Sequence, residues 1–277
     1  KEDIKNITKE WEEQLFEGLL QSYPYTQARA LSDKYGQAFP PEYKAVTRIE
    51  QAVKDIQSLE KLYTQKEVQA IIERNIPEAG KTLYSLKLYH QKELYLTDII
   101  PLLDNFGLNV VDEVPTEIKP EGLSIAYIKS FKILRADNPV KPIKPETQTK
   151  LLEGILQVFK GMAIDDRLNK LILLANLSWR EVDLFRLYRN YLHQISGIYT
   201  KRNIGEVLSN NPQGVSLLFE YFTTKFCPDR QYGDQYDRLN NLLPKIGEKF
   251  SNFLKKVPRI NEDRILRAIF NLIQATV

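Results

Sequence analysis

The chain of 277 residues has few of the residues that most metal sites require. It contains one cysteine, Cys227, and two histidines, His90 and His193, which lie far apart in the sequence. Zinc and haem sites group several such ligands at short spacing. The sequence therefore predicts no metal site of this kind. Because the lone cysteine cannot form an internal disulfide, a reducing, cytoplasmic location is favoured.

Glycine is also sparse and scattered. The chain has 12 glycines, and even the closest pair, Gly154 and Gly161, does not form a cluster. Nucleotide-binding loops need clustered glycines so that backbone N–H groups can approach phosphate. The sequence therefore predicts neither a Rossmann fingerprint nor a P-loop, and we expect no cofactor to be bound by this chain itself.

Long apolar runs and a strong net charge are absent as well. The longest apolar stretch, around residues 168–177, is interrupted by Asn169, Lys170 and Asn176. It is shorter than the roughly 20 residues that span a bilayer. The net charge is +3, from 39 basic and 36 acidic residues. We therefore predict neither a membrane nor a nucleic acid as partner.

Both ends of the sequence have the features of a segment cut from a longer polypeptide. The first residue is Lys1 rather than methionine, and the last ten residues resemble an amphipathic helix without a stop signal. We expect further sequence on both sides.

Hydrophobic periodicity predicts an N-terminal helical segment at residues 1–42. Ile4, Ile7, Trp11 and Leu15 recur at helical spacing, and a second helical run covers Thr26–Tyr35 before Gly36. The pair Pro40-Pro41 ends this segment.

Residues 43–137 combine helical and alternating patterns. The predicted elements, in order, are a helix, two strands, a helix and two strands: Tyr43–Leu62, Glu67–Arg74, Thr82–His90, Asp98–Phe106 with Thr97 as N-cap and Gly107 as stop, Leu108–Glu117, and Leu123–Leu134. A ferredoxin-like βαββαβ sandwich has this order if its last helix and strand are moved to the front. We predict a permuted, ferredoxin-like αββαββ sandwich, with both helices on one sheet face and the other face polar or available to a partner.

A proline-rich linker follows at residues 138–147, where Pro139, Pro142 and Pro145 recur at every third position. This spacing favours polyproline II conformation. Beyond it only helical periodicity is present, which predicts an all-α domain at residues 148–277. The predicted helices are 148–161, 165–176, 179–195, 200–209, 213–226, 235–256 and 261–277. The fold class is therefore α+β followed by all-α.

The acidic and histidine residues do not form a catalytic pattern. Adjacent residues such as Asp112-Glu113 point apart, and Asp165-Asp166 lies where a helix N-terminus favours negative charge. Neither histidine is near a nucleophile signature. We predict a capping role for the Asp pair and surface or capping roles for His90 and His193.

The segment that begins at Leu177 carries two signals. Ser178 and Glu181 form a capping box. After it, one broad face carries apolar and aromatic residues, which predicts core packing: Leu184, Phe185, Tyr188, Tyr191, Leu192 and Ile195. Arg180 and Arg186 lie largely elsewhere, where we expect a solvated face, although an acidic partner is the alternative.

Several segments resemble bacterial, large-type NAD-specific glutamate dehydrogenases. They are YGQAFPPEY at 35–43, LKLYH at 86–90, LTDIIPLLDNFGL at 96–108, LSWREV at 177–182 and EDRILR at 262–267. The resemblance implies a regulatory or scaffolding region upstream of the catalytic domain, inactive by itself. It also implies that the parent enzyme uses NAD to convert glutamate to 2-oxoglutarate and ammonia. The implied partners are the enzyme's own catalytic domain and further copies of the chain.

The unit Leu83–Val111 also resembles an ACT regulatory domain, in which a strand, loop, helix and strand build an effector site. Gln91 and Lys92 stand in the loop where such domains carry Asp and Gly. The resemblance implies an amino-acid effector as a further partner. The candidate effector or interface residues are Gln91, Lys92, Asp98, Trp179, Arg180 and Arg186. An amino-acid-sensing module and a purely structural oligomerisation module are the alternatives.

Overall fold

The computed structural model describes residues 10–75, 78–228 and 234–277 and divides into two compact units. The first consists of Lys1–Leu103, Leu108–Pro142 and Phe159–Met162, and the second of the remaining residues. The predicted helical pattern at Ile4 and Ile7 lies outside the described residues.

Within the described residues of the first unit, four helices precede the sheet: α1 (Trp11–Leu20), α2 (Tyr25–Tyr35), α3 (Pro41–Val46) and α4 (Ile49–Gln65). The prediction of one helix from Tyr43 to Leu62 is wrong, because Thr47 and Arg48 are extended and separate α3 from α4. This break lets α3 fold back on α4, so that the Tyr43 hydroxyl reaches Asp55.

The four strands form one antiparallel sheet in the order β1-β2-β4-β3, and helix α5 (Leu96–Asn105) connects β2 to β3. The strands are β1 (Gln69–Arg74), β2 (Tyr84–His90), β3 (Leu108–Ile118) and β4 (Ala126–Arg135). This order is that of a ferredoxin-like sheet after permutation, which confirms the predicted fold class. Thr97 is not the N-cap, since α5 already begins at Leu96, whereas Gly107 follows the helix with φ +78° as expected.

Both faces of the sheet bury apolar side chains, so the prediction of one polar or available face is wrong. Leu86, Leu88 and Phe131 are buried on one face. Tyr89 and Ile128 are buried on the other, where they share a core with α1, α2 and α4. The N-terminal helices supply the additional apolar surface that covers this second face.

The elements described in the second unit are helices, in agreement with the predicted all-α class. They are α6 (Pro145–Phe159), a 3-10 turn (Arg167–Asn169), α7 (Lys170–Ala175), α8 (Trp179–Ser196), α9 (Lys201–Asn210), α10 (Pro212–Phe226), α11 (Gln235–Asp237), a π-helical turn (Arg238–Leu242), α12 (Leu243–Leu254) and α13 (Ile260–Ala275). Pro145 is the first residue of α6, so this helix begins within the range predicted as a linker. A proline fits this position because the first helical N–H has no partner within the helix. Within the described ranges, no helix has both the length and the apolarity needed to cross a membrane.

Candidate functional site

The most concentrated set of buried polar groups in the first unit surrounds Asp55 of α4. Its side chain is completely buried and accepts five hydrogen bonds. Lys87 Nζ donates to both carboxylate oxygens at 2.9 and 2.7 Å, and the hydroxyls of Tyr43 and Tyr89 donate at 2.5 and 2.8 Å. Gln51 Nε2 completes the set at 2.9 Å. We call these five residues the Asp55 cluster.

Helix α4 and strand β2 position this cluster. Asp55 lies in the buried stripe of α4 beside Leu59 and Leu62, while Lys87 and Tyr89 share the face of β2 that α4 covers. Alternation along the strand therefore brings both residues to the same carboxylate. The cluster fixes α4 against the sheet through paired charges and satisfied hydrogen bonds.

The cluster lies beside an open groove of about 1610 Å³ on the same face of the sheet. Lys87, Tyr43 and Gln51 line it together with the α2–α3 connection and part of β3. Val46 and Val114 contribute exposed apolar surface, 82% and 55% exposed. The groove therefore combines apolar walls with several charged side chains, among them Lys87, whose ammonium group is already paired with Asp55.

The electrostatics of the cluster keep its phenols protonated. Burial raises the pKa of Tyr43 and of Tyr89 far above the ordinary value, and the neighbouring Asp55 charge raises both further. Both hydroxyls therefore act as hydrogen-bond donors to the carboxylate. The arrangement leaves the buried Asp55 carboxylate saturated with donors rather than free for acid–base chemistry.

His90 is buried at the end of β2, so the predicted surface role is wrong. It is 2% exposed, stacks on Tyr127 with ring centroids 5.5 Å apart, and its Nδ1 contacts the backbone oxygen of Lys92. Its Nε2 has no hydrogen-bond partner among the described residues. Burial lowers the pKa of His90, and the Lys129 charge adds to this effect. The ring is therefore held neutral.

The three candidate residues of the first unit lie on the surface around the β2–α5 loop. Gln91 Nε2 donates to Ser124 Oγ at 3.1 Å, and Lys92 is exposed. Asp98 is exposed in the first turn of α5, where its charge suits the helix dipole. An effector role for these three residues stays a prediction.

The other three candidates lie on α8, in the second unit. Trp179 is buried, and its Nε1 donates to Glu153 Oε1 at 2.9 Å. The exposed Arg180 guanidinium lies over the Trp179 ring at 4.4 Å. The predicted capping box is confirmed, because Ser178 Oγ accepts from Glu181 N and Glu181 Oε2 accepts from Ser178 N.

Arg186 belongs to an internal ion cluster rather than to the solvated face that the sequence predicts. It is 3% exposed and donates to Asp166 at 3.0 Å and to Asn169 Oδ1 at 2.5 Å. Asp166 also binds Arg189 at 2.8 Å and caps the 3-10 turn by accepting from Leu168 N, which confirms its predicted capping role. Burial opposes ionisation of Asp166, but the hydrogen bonds and charge of Arg186, and then those of Arg189, outweigh it and lower its pKa.

Sequence reasoning missed the Asp55 cluster. One signal was present, since a carboxylate inside the apolar stripe of a helix must find a buried partner. Nothing local to Lys87 identifies it as that partner, because the two residues come from different elements. Within the described residues, no group of His, Cys, Asp and Glu is arranged to hold a metal ion.

Three family models match parts of the chain. They are glutamate dehydrogenase helical motif 2 at residues 18–62, the glutamate dehydrogenase ACT3 domain at 62–144 and glutamate dehydrogenase helical motif 3 at 163–228. The ACT3 match covers the whole sheet and α5. The helical motif 2 match covers nearly all of α4, which supplies Asp55. The predicted domain bounds, which place α4 in the ACT-like domain, stay predictions.

The chain is similar along its whole length to proteins named NAD-specific glutamate dehydrogenase. It is 28% identical to the one from Halomonas elongata and 27% identical to the one from Pseudomonas aeruginosa, in each case over 100% of this chain and 17% of the relative. The Mycobacterium tuberculosis protein is 26% identical over 99% of this chain and 17% of its own length. The chain thus spans about a sixth of these relatives. The chain is therefore similar along its whole length to NAD-specific glutamate dehydrogenases, and parts of it match the ACT3 domain and helical motifs 2 and 3 of glutamate dehydrogenase.

Proposed function

We propose that this chain is a non-catalytic scaffolding and regulatory segment of an NAD-dependent glutamate dehydrogenase. The whole protein would oxidise L-glutamate with NAD and water to 2-oxoglutarate, ammonia and NADH in the cytoplasm. The observation that carries the proposal is the alignment of the whole chain with one sixth of relatives that are named for this activity. The matched models within it describe an ACT domain and helical motifs.

The chemistry of the chain supports the non-catalytic part of this proposal. Its glycines are too dispersed for a dinucleotide-binding loop. The most buried charged groups, Asp55 and Arg186, are saturated by internal partners. Such groups stabilise a fold rather than activate a substrate, because catalysis needs a group that is free to exchange a proton or bond.

NAD-dependent glutamate oxidation, followed as NADH formation, tests the proposal. The assay compares this chain, the full-length protein and a mock purification from cells that lack both. We expect activity in the full-length protein alone. Glutamate-dependent NADH formation by the isolated chain would refute the non-catalytic role, and an inactive full-length protein would refute the proposed parent reaction.

An amino-acid effector site is the second candidate function. It is favoured by the ACT3 match and by the buried His90, whose Nε2 lacks a described partner beside the Gln91–Leu94 loop. A ligand that binds only the folded state stabilises it by about 2.7 kcal/mol at a hundredfold excess over its Kd. Thermal unfolding with each common amino acid should therefore reveal an effector. If none of them shifts Tm, this candidate fails while the scaffolding role stands.

A further inference from the structure

Exposed apolar surface occurs in both units. On α8, Tyr191 and Ile195 are 50% and 56% exposed, so the face that the sequence predicts as core is only half buried. In the first unit, exposed apolar side chains share the groove beside the Asp55 cluster with hydrogen-bond donors. Apolar walls with a few convergent polar groups are typical of small-molecule sites. The groove therefore has the composition of a ligand site.

The floor of the groove is a row of side chains across three strands. Lys87 of β2 lies opposite Ser130 of β4, and Ser130 lies opposite Val114 of β3. Directly opposite residues share one sheet face, and Thr116 follows on the same face two residues along β3. In the described part of the chain, neither the Ser130 nor the Thr116 hydroxyl has a hydrogen-bond partner. The floor therefore offers an ammonium group, two hydroxyls and one apolar side chain.

The opposite wall consists of α3 and the turn that leads into α4. Val46, the last residue of α3, is exposed and supplies apolar surface. Arg48 is exposed and lies about one helical turn before Gln51, which donates to the same Asp55 carboxylate as Lys87. Arg48 therefore lies at the end of the groove next to the Asp55 cluster.

Most of the charged side chains that line the groove are paired. The paired basic residues and their partners are Lys44 with Glu12, Lys87 with Asp55 and Lys119 with Glu117. Two lining residues, Arg48 and Glu42, have no ion-pair partner among the described residues, and they lie at opposite ends of α3. One end of the groove therefore carries an uncompensated positive charge, and the other end carries a negative one.

We propose that this groove binds a small organic monocarboxylate with an apolar body. The ligand carboxylate accepts hydrogen bonds from Arg48, from the Ser130 hydroxyl and from the Lys87 ammonium group. An ammonium group has three donors, and Asp55 takes two of those of Lys87, so one is left for a ligand. Hydrogen bonds to charged groups are the stronger ones, so this end fixes the orientation of the ligand.

The apolar body of the ligand packs between Val46 and Val114, on the two walls of the groove. A second carboxylate at the far end of the ligand would meet Glu42, and this repulsion favours a monocarboxylate over a dicarboxylate. The β2–α5 loop does not line the groove, so this site is distinct from the amino-acid effector site considered above. The inference does not depend on the parent reaction.

Titration calorimetry of this chain with octanoate is the first test, with acetate and octan-1-ol as comparison ligands. Octanoate should bind at least about tenfold more tightly than acetate, because each buried methylene group contributes roughly fourfold in affinity. It should exceed octan-1-ol by a similar factor, because the alcohol lacks the charge that Arg48 recognises. No octanoate binding would overturn the proposal. Equal affinity of octanoate and either comparison ligand would overturn it as well.

Two exposed positions allow the site to be altered without disturbing the core. Arg48→Gln should weaken octanoate at least about tenfold, and Val46→Asp should abolish binding by placing a carboxylate on the apolar wall. Lys61→Gln is the matched control, because Lys61 is an exposed cation on α4 outside the groove, and it should leave the affinity unchanged. Octanoate binding that survives both groove variants would overturn the proposal. An equal loss in Lys61→Gln would also overturn it.

The two tryptophans locate the ligand independently of these variants. Trp11 lines the groove, whereas Trp179 lies on α8 in the other unit. In Trp179→Phe, octanoate should change the Trp11 fluorescence with the Kd found by calorimetry. In Trp11→Phe, the remaining Trp179 fluorescence should stay constant. A response of Trp179 with a silent Trp11 would refute the assignment of the ligand to the groove.

Discussion

At the scale of single residues, the two buried ionisable groups Asp55 and His90 differ in how completely their polar atoms are hydrogen-bonded. The fully buried carboxylate of Asp55 accepts hydrogen bonds from Lys87, two tyrosines and a glutamine. His90 is held neutral, since it is buried beside Lys129 and one ring nitrogen has no partner among the described residues. The two sites therefore differ in how many hydrogen-bond partners the fold supplies to the buried polar group.

Breaking the Asp55–Lys87 pair should strongly destabilise the first unit. Lys87→Met leaves a carboxylate in the interior without its counter-ion, which costs about 3–5 kcal/mol. The double variant Asp55→Leu/Lys87→Met should recover much of this loss, because it removes both charges. Chemical denaturation measures each free energy of unfolding.

The matched control for this pair is Lys54→Met. Lys54 lies on α4, the helix that also carries Asp55, and pairs with Glu73 at 2.6 Å, but the Lys54 and Glu73 side chains are 55% and 35% exposed. We expect a loss of about 0–1 kcal/mol, because solvent screens such pairs. If Lys87→Met cost no more than Lys54→Met, the assignment of the Asp55 cluster as the anchor of α4 would fail.

His90 should make stability depend on pH. Because its folded pKa is lowered, the unfolded chain binds a proton near pH 6.5 while the folded chain does not. Its contribution to stability is therefore present above pH 6.5 and is lost as pH falls, by at most about 1.4 kcal/mol for each pH unit. His90→Phe, which keeps an aromatic ring beside Tyr127, should remove this slope between pH 7 and 5.

His193→Gln is the control for the pH experiment, since it replaces the chain's other histidine. This variant should keep the slope. Urea midpoints at a series of pH values give the comparison. The same slope in wild type and His90→Phe would show that other groups cause the pH dependence.

At the scale of elements, local signals define several helix ends, and close helix packing constrains individual positions. Gly107 and Gly197 end α5 and α8 in the left-handed region, where glycine is favoured. The capping box at Ser178 begins α8. The packing of these helices, by contrast, depends on contacts between residues far apart in the chain.

Ser178→Ala should destabilise the second unit by about 1 kcal/mol, because two backbone N–H groups at the start of α8 depend on the capping box. Thermal and urea unfolding measure the change. Ser216→Ala is the control: this exposed serine lies inside α10, where its hydroxyl only bonds back to Pro212 O. The control should change stability by less than about 0.5 kcal/mol. An equal effect of both variants would contradict a specific capping role.

Gly214→Ala tests the close approach of α10 to α12. An added Cβ would lie 2.5 Å from a ring carbon of Phe253, so the ring or the helices must move, at a cost of about 1–3 kcal/mol. At Gly205 in α9 the nearest atoms would be 3.9 and 4.0 Å away. Gly205→Ala should therefore stabilise by about 0.5–1 kcal/mol through helix propensity. Equal melting temperatures for the two variants would refute the proposed packing constraint.

At the scale of the whole molecule, the family match and the chemistry of the chain support the proposed non-catalytic role in a longer polypeptide. The chain spans about a sixth of its relatives and uses its buried charges for internal bonds. Among the described residues, the groove beside the Asp55 cluster and the exposed apolar residues of α8, Leu187, Tyr191 and Ile195, remain available to partners. Measurements of assembly and of ligand binding are therefore the best tests of its contribution to the parent enzyme. The activity assay separates that contribution from catalysis.

The sequence by itself determined the element types, several helix ends and the fold class. Apolar periodicity, glycine stops and a capping box act over a few residues, so their signals are local. The family resemblance was likewise contained in short segments such as LTDIIPLLDNFGL. The predicted single helix from Tyr43 failed because the break at Thr47 and Arg48 is stabilised by a contact between Tyr43 and Asp55.

Only the tertiary structure decided which side chains share a site. Asp55 and Lys87 are 32 residues apart, and the strand and helix must pack before the carboxylate finds its ammonium partner. Likewise, periodicity placed Tyr191 and Ile195 on the same broad face as Phe185, but only half of that face fits against the neighbouring helices. Burial depends on how much apolar surface the other elements supply. That quantity is set by packing across the chain and is not encoded at any one position.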